Sequence, residues 1–364
     1  MSEARSLPGA SAAAPALSVH HPVREAWLRK RREDALLPEL PIVDAHHHLW
    51  DRPRDRYLAD EFSSDLATGH RVTASVYVQC RSMLRSRGPD SMRPVGEVEF
   101  ASGVAAMFDS GGYGASRACA AIVGGADLTL GDRLRPVLET MLAVSGGRLR
   151  GMRNPLAWHP GEQIRSGPIV PPRDLMADPA FRQGCGVLAD FGLTLDAWVY
   201  HTQLDDLFEL ATRFPELTVV IDHFGGPLGV GPYAAQRARV HEAWEPCIAR
   251  LARLPNTRMK LGGAGLKVFG FDFAGRELPP SSEELAQAWR PYFETCVEHF
   301  GVDRCMVESN FPVDKGMYSY ATLWNAFKRL AWHASPDERA ALFHRTASSV
   351  YKLEPEMGEQ RQPA

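Results

Sequence analysis

The sequence alternates between short apolar segments and longer amphipathic ones along most of its length, and this alternation limits the folds it can adopt. Between most of the apolar segments lie helical patterns, as in residues 131–145, 240–254 and 285–300, where apolar side chains recur every three or four positions. Strand–helix alternation predicts a parallel sheet, because parallel neighbours need a long crossover connection. Eight segments are candidates for buried strands: 41–45, 72–78, 119–123, 148–152, 193–200, 217–221, 258–261 and 304–307.

Eight strand–helix units predict a closed (β/α)₈ TIM barrel, an α/β fold for which roughly 250 residues are typical. The residues beyond this typical length fall in the N-terminal region and in two long loops, 154–177 and 262–282. An open doubly wound sheet is the competing architecture, and it is disfavoured because no Gly-x-Gly-x-x-Gly follows the first strand. We expect a flexible tail at 1–21, an N-terminal arm at 22–40, the barrel domain at 41–353 and a C-terminal tail at 354–364.

The N-terminal arm carries Trp27, Leu28 and Leu36, apolar side chains that a barrel does not need for its own core. We expect a helix in this arm that covers the bottom of the barrel or contacts a second subunit. A homodimer is therefore left open.

Composition excludes several classes of function. The net charge is −3 and Lys and Arg are scattered, so nothing favours nucleic acid as a partner. No apolar run approaches the roughly 20 residues of a membrane-spanning helix, and the N-terminal region lacks the apolar core of a secretory signal. The six cysteines have no framework spacing, which indicates free thiols in a reducing compartment. We therefore expect a cytoplasmic protein that acts on a small-molecule substrate, with no membrane partner.

The first strand candidate is followed by a cluster of histidines. Side chains alternate between the two faces of a strand, so His46 and His48 share one face and His47 lies on the other. Two imidazoles on one face suit a divalent metal such as zinc, or proton transfer near neutral pH. A lone histidine could simply cap the strand, whereas two histidines on one face favour a metal-binding or catalytic site.

Polar side chains also follow the other strand candidates. In a (β/α)₈ barrel the C-terminal ends of the strands meet at the face that carries the chemistry, so the sequence predicts one site there. Asp222 is expected to point away from it, toward the helices, because it precedes His223 by one position. The candidates are Gln79 after the second strand, Arg150 and Arg153 in the fourth, His201 after the fifth, His223 after the sixth, Lys260 in the seventh, and Glu308 and Asn310 after the eighth.

Arginine binds carboxylates in a bidentate manner, so Arg150 and Arg153 suggest an acidic substrate. A structural salt bridge at the barrel rim explains them equally well. Lys260 is open to the same two interpretations, as an oxyanion donor or as a partner of a carboxylate on a neighbouring strand. Trp50 is a candidate for the wall of the pocket, although core packing also accounts for it.

Four motifs resemble one protein family. They are Asp44–Trp50, Arg150–Arg153, Asp222–Pro227 and Ser309–Pro312, and they stand in the expected order on the expected strands. The chain resembles, from about residue 22 onward, the metal-dependent hydrolase branch of the amidohydrolase superfamily, which includes sugar lactonases and 2-pyrone-4,6-dicarboxylate lactonases. The resemblance implies a (β/α)₈ barrel that hydrolyses a carboxylic ester, usually an internal one. Non-oxidative decarboxylases of the same superfamily have a similar first-strand motif.

The resemblance also implies roles for individual residues. It makes His46 and His48 first-strand metal ligands and puts His201 and His223 at the fifth- and sixth-strand positions. The eighth-strand position usually carries an Asp that activates water, but here it is Asn310, and Gln79 stands where Glu is more usual. An amide is a poor general base. Three explanations stay open: another carboxylate, Glu308 or Asp314, transfers the proton; a histidine is the base and no metal is needed; or catalysis is weakened.

The hypothesis that combines these observations is hydrolysis of a lactone or other ester by an activated water molecule. The cofactor would be zinc or manganese, or no metal at all. The alternatives are a non-oxidative decarboxylase and a non-catalytic barrel that binds a ligand.

Overall fold

The computed structural model describes residues 19–53 and 55–353. It contains eight parallel strands whose order in the sheet follows their order in the sequence. They are β1 (Ile42–His47), β2 (Val72–Val78), β3 (Arg117–Gly125), β4 (Leu149–Arg153), β5 (Thr194–Ala197), β6 (Val219–Ile221), β7 (Thr257–Leu261) and β8 (Cys305–Val307).

One helix follows each strand, and these eight helices form the outer layer. Several begin at a side-chain cap: Asp178 accepts hydrogen bonds from two backbone amides of α4, and Ser281 and Glu284 form a capping box at α7. The helices are α1 (Ala59–Leu66), α2 (Val95–Asp109), α3 (Arg135–Val144), α4 (Pro179–Asp190), α5 (Leu204–Arg213), α6 (Arg237–Ala252), α7 (Ser282–Phe300) and α8 (Tyr320–Leu330).

The barrel closes between the first strand and the segment that follows the last. His47 pairs with Phe311 in parallel, and the amides of His48 and Asn310 donate across the seam to the carbonyl oxygens of Phe311 and His46, at 2.7 and 2.8 Å. The predicted (β/α)₈ barrel is therefore confirmed. The strands are buried on both faces, as expected for a parallel sheet under helices.

Two cores result from this arrangement. The larger lies between the strands and the helices and contains most of the aromatic side chains. The smaller fills the barrel itself with small and β-branched residues, such as Val43, Ala45 and Val76, and with one large side chain, Tyr351. No described helix is long and apolar enough to cross a membrane.

The bottom of the barrel is covered by the C-terminal part of the domain. The short helices Pro336–Ala340, Ala341–Arg345 and Thr346–Val350 lead to Tyr351, which is fully buried within the barrel. Its hydroxyl donates to Asp196 Oδ2 at 2.7 Å. The prediction that the N-terminal arm covers this end was wrong.

The arm instead packs on the outside of the barrel, and only Glu25–Leu28 in it is helical. Trp27 is buried and its indole N–H donates to the carbonyl of Arg276, in the long loop after β7. Farther on, the amide of Leu36 donates to the Asn325 side chain of α8. The continuous charged run at 29–34 and Pro38 leave too short an apolar pattern for a longer helix. Residues 1–18 of the predicted tail at 1–21 and the whole predicted tail at 354–364 lie outside the described residues.

Candidate active site

A cavity of about 1110 Å³ opens at the C-terminal ends of the strands. Its floor contains His48, His223, Asn310 and Arg153, of which the first three are almost fully buried. Its walls are aromatic, with Trp50, Trp158, Trp198 and Tyr200. The predicted strand 193–200 is shorter than expected because the chain leaves the sheet after Ala197, which turns Trp198 and Tyr200 into cavity wall.

His46 and His48 share one face, as strand alternation predicted, and their Nε2 atoms lie 3.2 Å apart. Nδ1 of His48 lies 2.7 Å from the carbonyl oxygen of Val78, which can only accept, so Nδ1 is protonated and Nε2 carries the lone pair. Burial lowers the pKa of both imidazoles well below the ordinary value, and the nearby cations Lys260 and Arg153 act in the same direction. Both rings are therefore neutral at pH 7. His47 faces the helix layer and stacks on Phe62.

Glu308 bridges two of the histidines from below. Its carboxylate lies 2.6 Å from Nδ1 of His223 and 2.9 Å from Nδ1 of His46. Burial alone would raise the pKa of Glu308, but the two histidines outweigh it and hold the pKa at about 2. The carboxylate is ionised, and its Oε1 accepts from His223 Nδ1, which leaves His223 Nε2 as an acceptor. Its Oε2 makes no hydrogen bond to a described residue and faces His46 Nδ1 as a charge contact.

The residues after β6 depart from strand alternation. His223 and Phe224 have φ of 55° and 53°, and a Cβ at Gly226 would meet the carbonyl oxygen of Val199 at 2.1 Å, so only glycine fits this turn. Because β6 ends at Ile221, Asp222 and His223 both reach the site. The expectation that Asp222 points to the helices was wrong: it is fully buried and lies 3.6 Å from both His46 Nδ1 and Arg153 Nη1.

Lys260 lies beneath the histidines, fully buried. Its ammonium is 2.7 Å from Asp196 Oδ2, 3.2 Å from Asp222 Oδ1 and 3.4 Å from His46 Nδ1. Burial acts to lower the pKa of Lys260, yet Asp196, Asp222 and Glu308 raise it overall, so the group stays charged. Of its two predicted roles, the geometry supports that of carboxylate partner, since Lys260 does not line the cavity.

Arg153 is the predicted arginine that reaches the cavity. Its guanidinium lies 3.2 Å from His46 Nε2 and donates to the backbone carbonyl of Gln79, whose side chain also lines the cavity. Arg150 points the other way along the barrel, and its Nε donates to the carbonyl of Tyr351 at 3.0 Å. The structure therefore does not bring Arg150 to the site, because it stands near the start of β4, where the register shifts, and its side chain reaches the C-terminal segment at the other end of the barrel.

Asn310 lies in the cavity floor, and its amide donates to Asp314 Oδ1 at 2.8 Å. The other oxygen of Asp314 accepts from the amide of Gly265 at 2.9 Å and from the Tyr318 hydroxyl. Burial raises the pKa of Asp314 to about 7, against these hydrogen bonds. The resemblance leads one to expect a carboxylate at position 310. The structure has an amide there, with the carboxylate of Asp314 directly behind it.

His201 is not brought to the other three histidines. Its Nδ1 accepts from the amide of Leu228 at 3.3 Å and its ring lies against Tyr233, with centroids 5.0 Å apart. Burial lowers its pKa to about 4. The strand ends at Ala197, and the chain has turned away from the barrel axis by Tyr200. His201 therefore does not point into the cavity, although it comes soon after this strand in the sequence.

Three residues of the site were missed by the sequence analysis. Trp198 contacts His223 edge to face, with centroids 4.8 Å apart. Asp196 accepts from Lys260 inside the barrel, and Tyr351 donates to the same carboxylate. An aspartate inside a predicted apolar strand was a signal for Asp196, because an unpaired carboxylate is rarely buried. No sequence signal linked Tyr351, in the last helical turn, to β5.

The site fits a divalent metal. One donor atom from each of His46, His223 and Glu308 lies within 4.8 Å of the others. Nitrogens bound to one tetrahedral zinc at about 2.0–2.1 Å are about 3.3 Å apart, close to the 3.2 Å between the Nε2 atoms of His46 and His48. Two of the rings have an acceptor at their second nitrogen, Glu308 for His223 and the Val78 carbonyl for His48, as is usual around metal-binding histidines.

Comparison with known proteins identifies the family and two relatives. Residues 43–353 match the family described as amidohydrolase. The chain is 29% identical over 339 residues to an uncharacterised protein of Sinorhizobium fredii, y4mH, covering 87% of this chain and 100% of that protein. It is also 29% identical over 196 residues to an L-fucono-1,5-lactonase of Burkholderia ambifaria, which covers 51% of this chain and 59% of the lactonase.

The fold also matches known structures. An amidohydrolase from Burkholderia multivorans with bound zinc superposes with a TM-score of 0.66 at 23% identity, covering 86% of this chain and 99% of that one. At 23% sequence identity, this similarity supports the barrel fold alone.

Proposed function

Because the chain belongs to the amidohydrolase family, we propose that it hydrolyses a carboxylic ester, and specifically the internal ester of a lactone. One observation carries the proposal: the pair His223–Glu308, with Nδ1 and Oε1 2.6 Å apart, in which the imidazole lines the cavity while the carboxylate is buried behind it. A base oriented by a third group is the arrangement that activates a nucleophile in acyl transfer.

The proposed reaction uses the free nitrogen of this pair. His223 Nε2 removes a proton from a water molecule while the water oxygen attacks the lactone carbonyl carbon. Arg153 donates to the oxygen that becomes negatively charged, in a site where Trp198 and Tyr200 exclude bulk water. The ring C–O bond then breaks and its oxygen takes the proton back from His223. The product is a hydroxy acid, which releases one proton per turnover near pH 7.

A bound zinc ion would be held by His46 and His48 and would polarise the carbonyl as a Lewis acid. Nε2 of His223 would stay free for the proton, while Glu308 holds its Nδ1. The steps assigned to His223 and Arg153 are the contribution of the chain itself. Lys260, Asp196 and Asp222 contribute by fixing the charge and position of His46 from below.

The test is Glu308→Gln, assayed with a panel of lactones in a pH-indicator assay. We expect kcat to fall about 10²- to 10⁴-fold, the range of general-base contributions, with little change in KM. His333→Asn, on the surface outside the site, is the control and should keep the wild-type rate. Metal content is measured on the same preparations.

The outcomes separate the alternatives. A loss of rate that merely follows a loss of metal would contradict the role of His223 as base. Release of CO₂ from an aromatic acid in place of a proton from a lactone would indicate a decarboxylase. Ligand binding with no turnover of any substrate would indicate a non-catalytic barrel.

A further inference from the structure

The outer part of the cavity differs in charge from the rest of the molecule. The chain has a net charge of −3, yet the cavity is lined by four arginines, Arg52, Arg81, Arg153 and Arg165. Among the described lining residues, the one carboxylate is Glu162. A concave surface with an excess of one sign concentrates ligands of the opposite sign.

Three of these arginines form a rim above the floor. Arg81 and Arg165 are exposed, whereas the floor residues His48 and His223 are each only 3% exposed. Arg52 lies between these extremes. The rim arginines come from the loops after β1, β2 and β4, so they approach the cavity from three directions.

The rim guanidiniums are available to a ligand. In the described part of the chain, Arg81 and Arg165 make no hydrogen bond or ion pair, and Arg52 has no carboxylate within 4 Å. Arg52 is held in place by the face of Trp50, 4.0 Å away, and by a hydrogen bond to the Cys80 carbonyl. A guanidinium fixed on an aromatic ring loses less freedom when it binds an anion.

The backbone gives an independent indication at Arg81. Its φ is 64°, a left-handed conformation that is uncommon for a residue with a side chain. Such conformations are unfavourable and cluster at functional sites. Here the strained residue follows β2 directly and puts a cationic side chain at the rim of the cavity.

We propose that Arg52, Arg81 and Arg165 form an anion-binding subsite for a carboxylate that the substrate carries at the end away from its reacting carbonyl. The inference rests on the proposed function for the identity of the reacting group. The cavity exceeds the 300–1,000 Å³ that holds drug-sized ligands, so a single small ring would not fill it. The aromatic walls between floor and rim fit a planar or apolar body. The substrate class is therefore an aromatic or alicyclic lactone with a distant carboxylate.

The binding test uses isophthalate, an aromatic dicarboxylate, and isophthalamide, its neutral counterpart, in calorimetric titrations of the purified protein. We expect isophthalate to bind, and the Arg81→Gln, Arg165→Gln double variant to bind it about tenfold or more weakly, since charge-assisted hydrogen bonds are the strong ones. Binding of isophthalamide should not change. Arg87→Gln, an exposed arginine of the same loop as Arg81 that does not line the cavity, is the matched control and should behave as wild type.

Equal binding of isophthalate by the wild type and the double variant, or no binding by the wild type, would overturn the subsite. A second experiment compares hydrolysis of a lactone that carries a carboxylate with that of its methyl ester. The subsite predicts a KM for the acid that rises about tenfold in the double variant, with an unchanged KM for the methyl ester. If neither compound is hydrolysed, the proposed function fails, and the titrations still decide whether the anion site exists.

Discussion

At the scale of single residues, the site depends on which nitrogen of each histidine carries the proton. The Val78 carbonyl fixes the proton of His48 on Nδ1, and Glu308 does the same for His223. Strand alternation was enough to predict from sequence that His46 and His48 share a face. The same rule failed for Asp222, because β6 ends one residue earlier and the following residues have positive φ. Periodicity predicts side-chain direction only while the strand continues.

The positions of His46 and His201 lead to opposite predictions for metal binding. His46→Ala removes the imidazole that contacts His48, Glu308 and Arg153, and we expect the purified variant to lose most of its metal. His201→Ala removes a ring that lies against Tyr233, and its metal content should equal that of the wild type. Elemental analysis of both variants decides the point. A metal-free His201→Ala protein would restore the four-histidine site expected from the resemblance.

Asn310→Asp would put a second carboxylate 2.8 Å from the position of Asp314 Oδ1. Two carboxylates at this distance cannot both ionise readily, so the pair would share one proton. We expect the variant to gain no metal and to melt at a lower temperature than the wild type, with a larger difference at pH 8 than at pH 5. Thermal melts at the two pH values measure this. A rise in metal affinity at pH 8 would show that position 310 retains the usual role of its strand.

At the scale of elements, the alternation of strands and helices was predictable because each unit is bounded by its own apolar pattern. The eight predicted strands all exist, with ends that differ by a few residues. The arm was harder to predict, since its apolar residues indicate burial but not against which surface. The contribution of the C-terminal helices could not be read from sequence either, because the hydrogen bond between Tyr351 and Asp196 joins residues 155 positions apart.

Tyr351→Phe tests whether this terminal element supports the site. The change removes the hydroxyl that donates to Asp196 Oδ2 and leaves the buried ring in place, while Lys260 and Thr194 still contact the carboxylate. Loss of one buried hydrogen bond to a charged group should lower the free energy of unfolding by about 1.5–3 kcal/mol. Denaturant titration measures the loss. Tyr113→Phe, at a partly exposed tyrosine, is the control, and an equal effect of both changes would contradict the proposed support.

At the scale of the whole molecule, buried carboxylates determine how stability depends on pH. Burial raises the pKa of Asp314 to about 7 and that of Asp44 to about 6. A group whose pKa is higher in the folded than in the unfolded protein stabilises below its unfolded pKa, and this contribution is lost as the pH rises through the folded value. These two carboxyl groups lower the free energy of unfolding as the pH rises through their folded pKa values. The buried histidines, among them His46, His48 and His201, have lowered pKa values and act in the opposite direction up to about pH 6.5. We therefore expect a net fall only above about pH 6.5, where Asp314 ionises. Glu308, with its pKa lowered to about 2, acts in the opposite direction only below about pH 4.5.

Asp314→Asn isolates one of these groups. An amide does not titrate, so the variant should lose the part of the pH dependence that comes from Asp314, which amounts to roughly 4 kcal/mol for a rise from the ordinary pKa to about 7. The difference between the unfolding free energies of the wild type and the variant should therefore change by about this amount between pH 4 and pH 8. Parallel curves for the two proteins would mean that Asp314 is already ionised throughout this range.

The closure of the barrel has a consequence for the order of events during synthesis. Asp44 accepts a hydrogen bond from the amide of Ser309, 265 residues later, and the seam between His47 and Phe311 joins the same two ends of the domain. A ribosome has therefore released nearly the whole domain before β1 finds its final neighbour. Until then Asp44 and His46 lack their native partners, although both belong to the first strand to emerge. The earliest residues of the site to be translated are thus among the last to be assembled, and no truncated nascent chain that ends before residue 308 can present a complete catalytic pair.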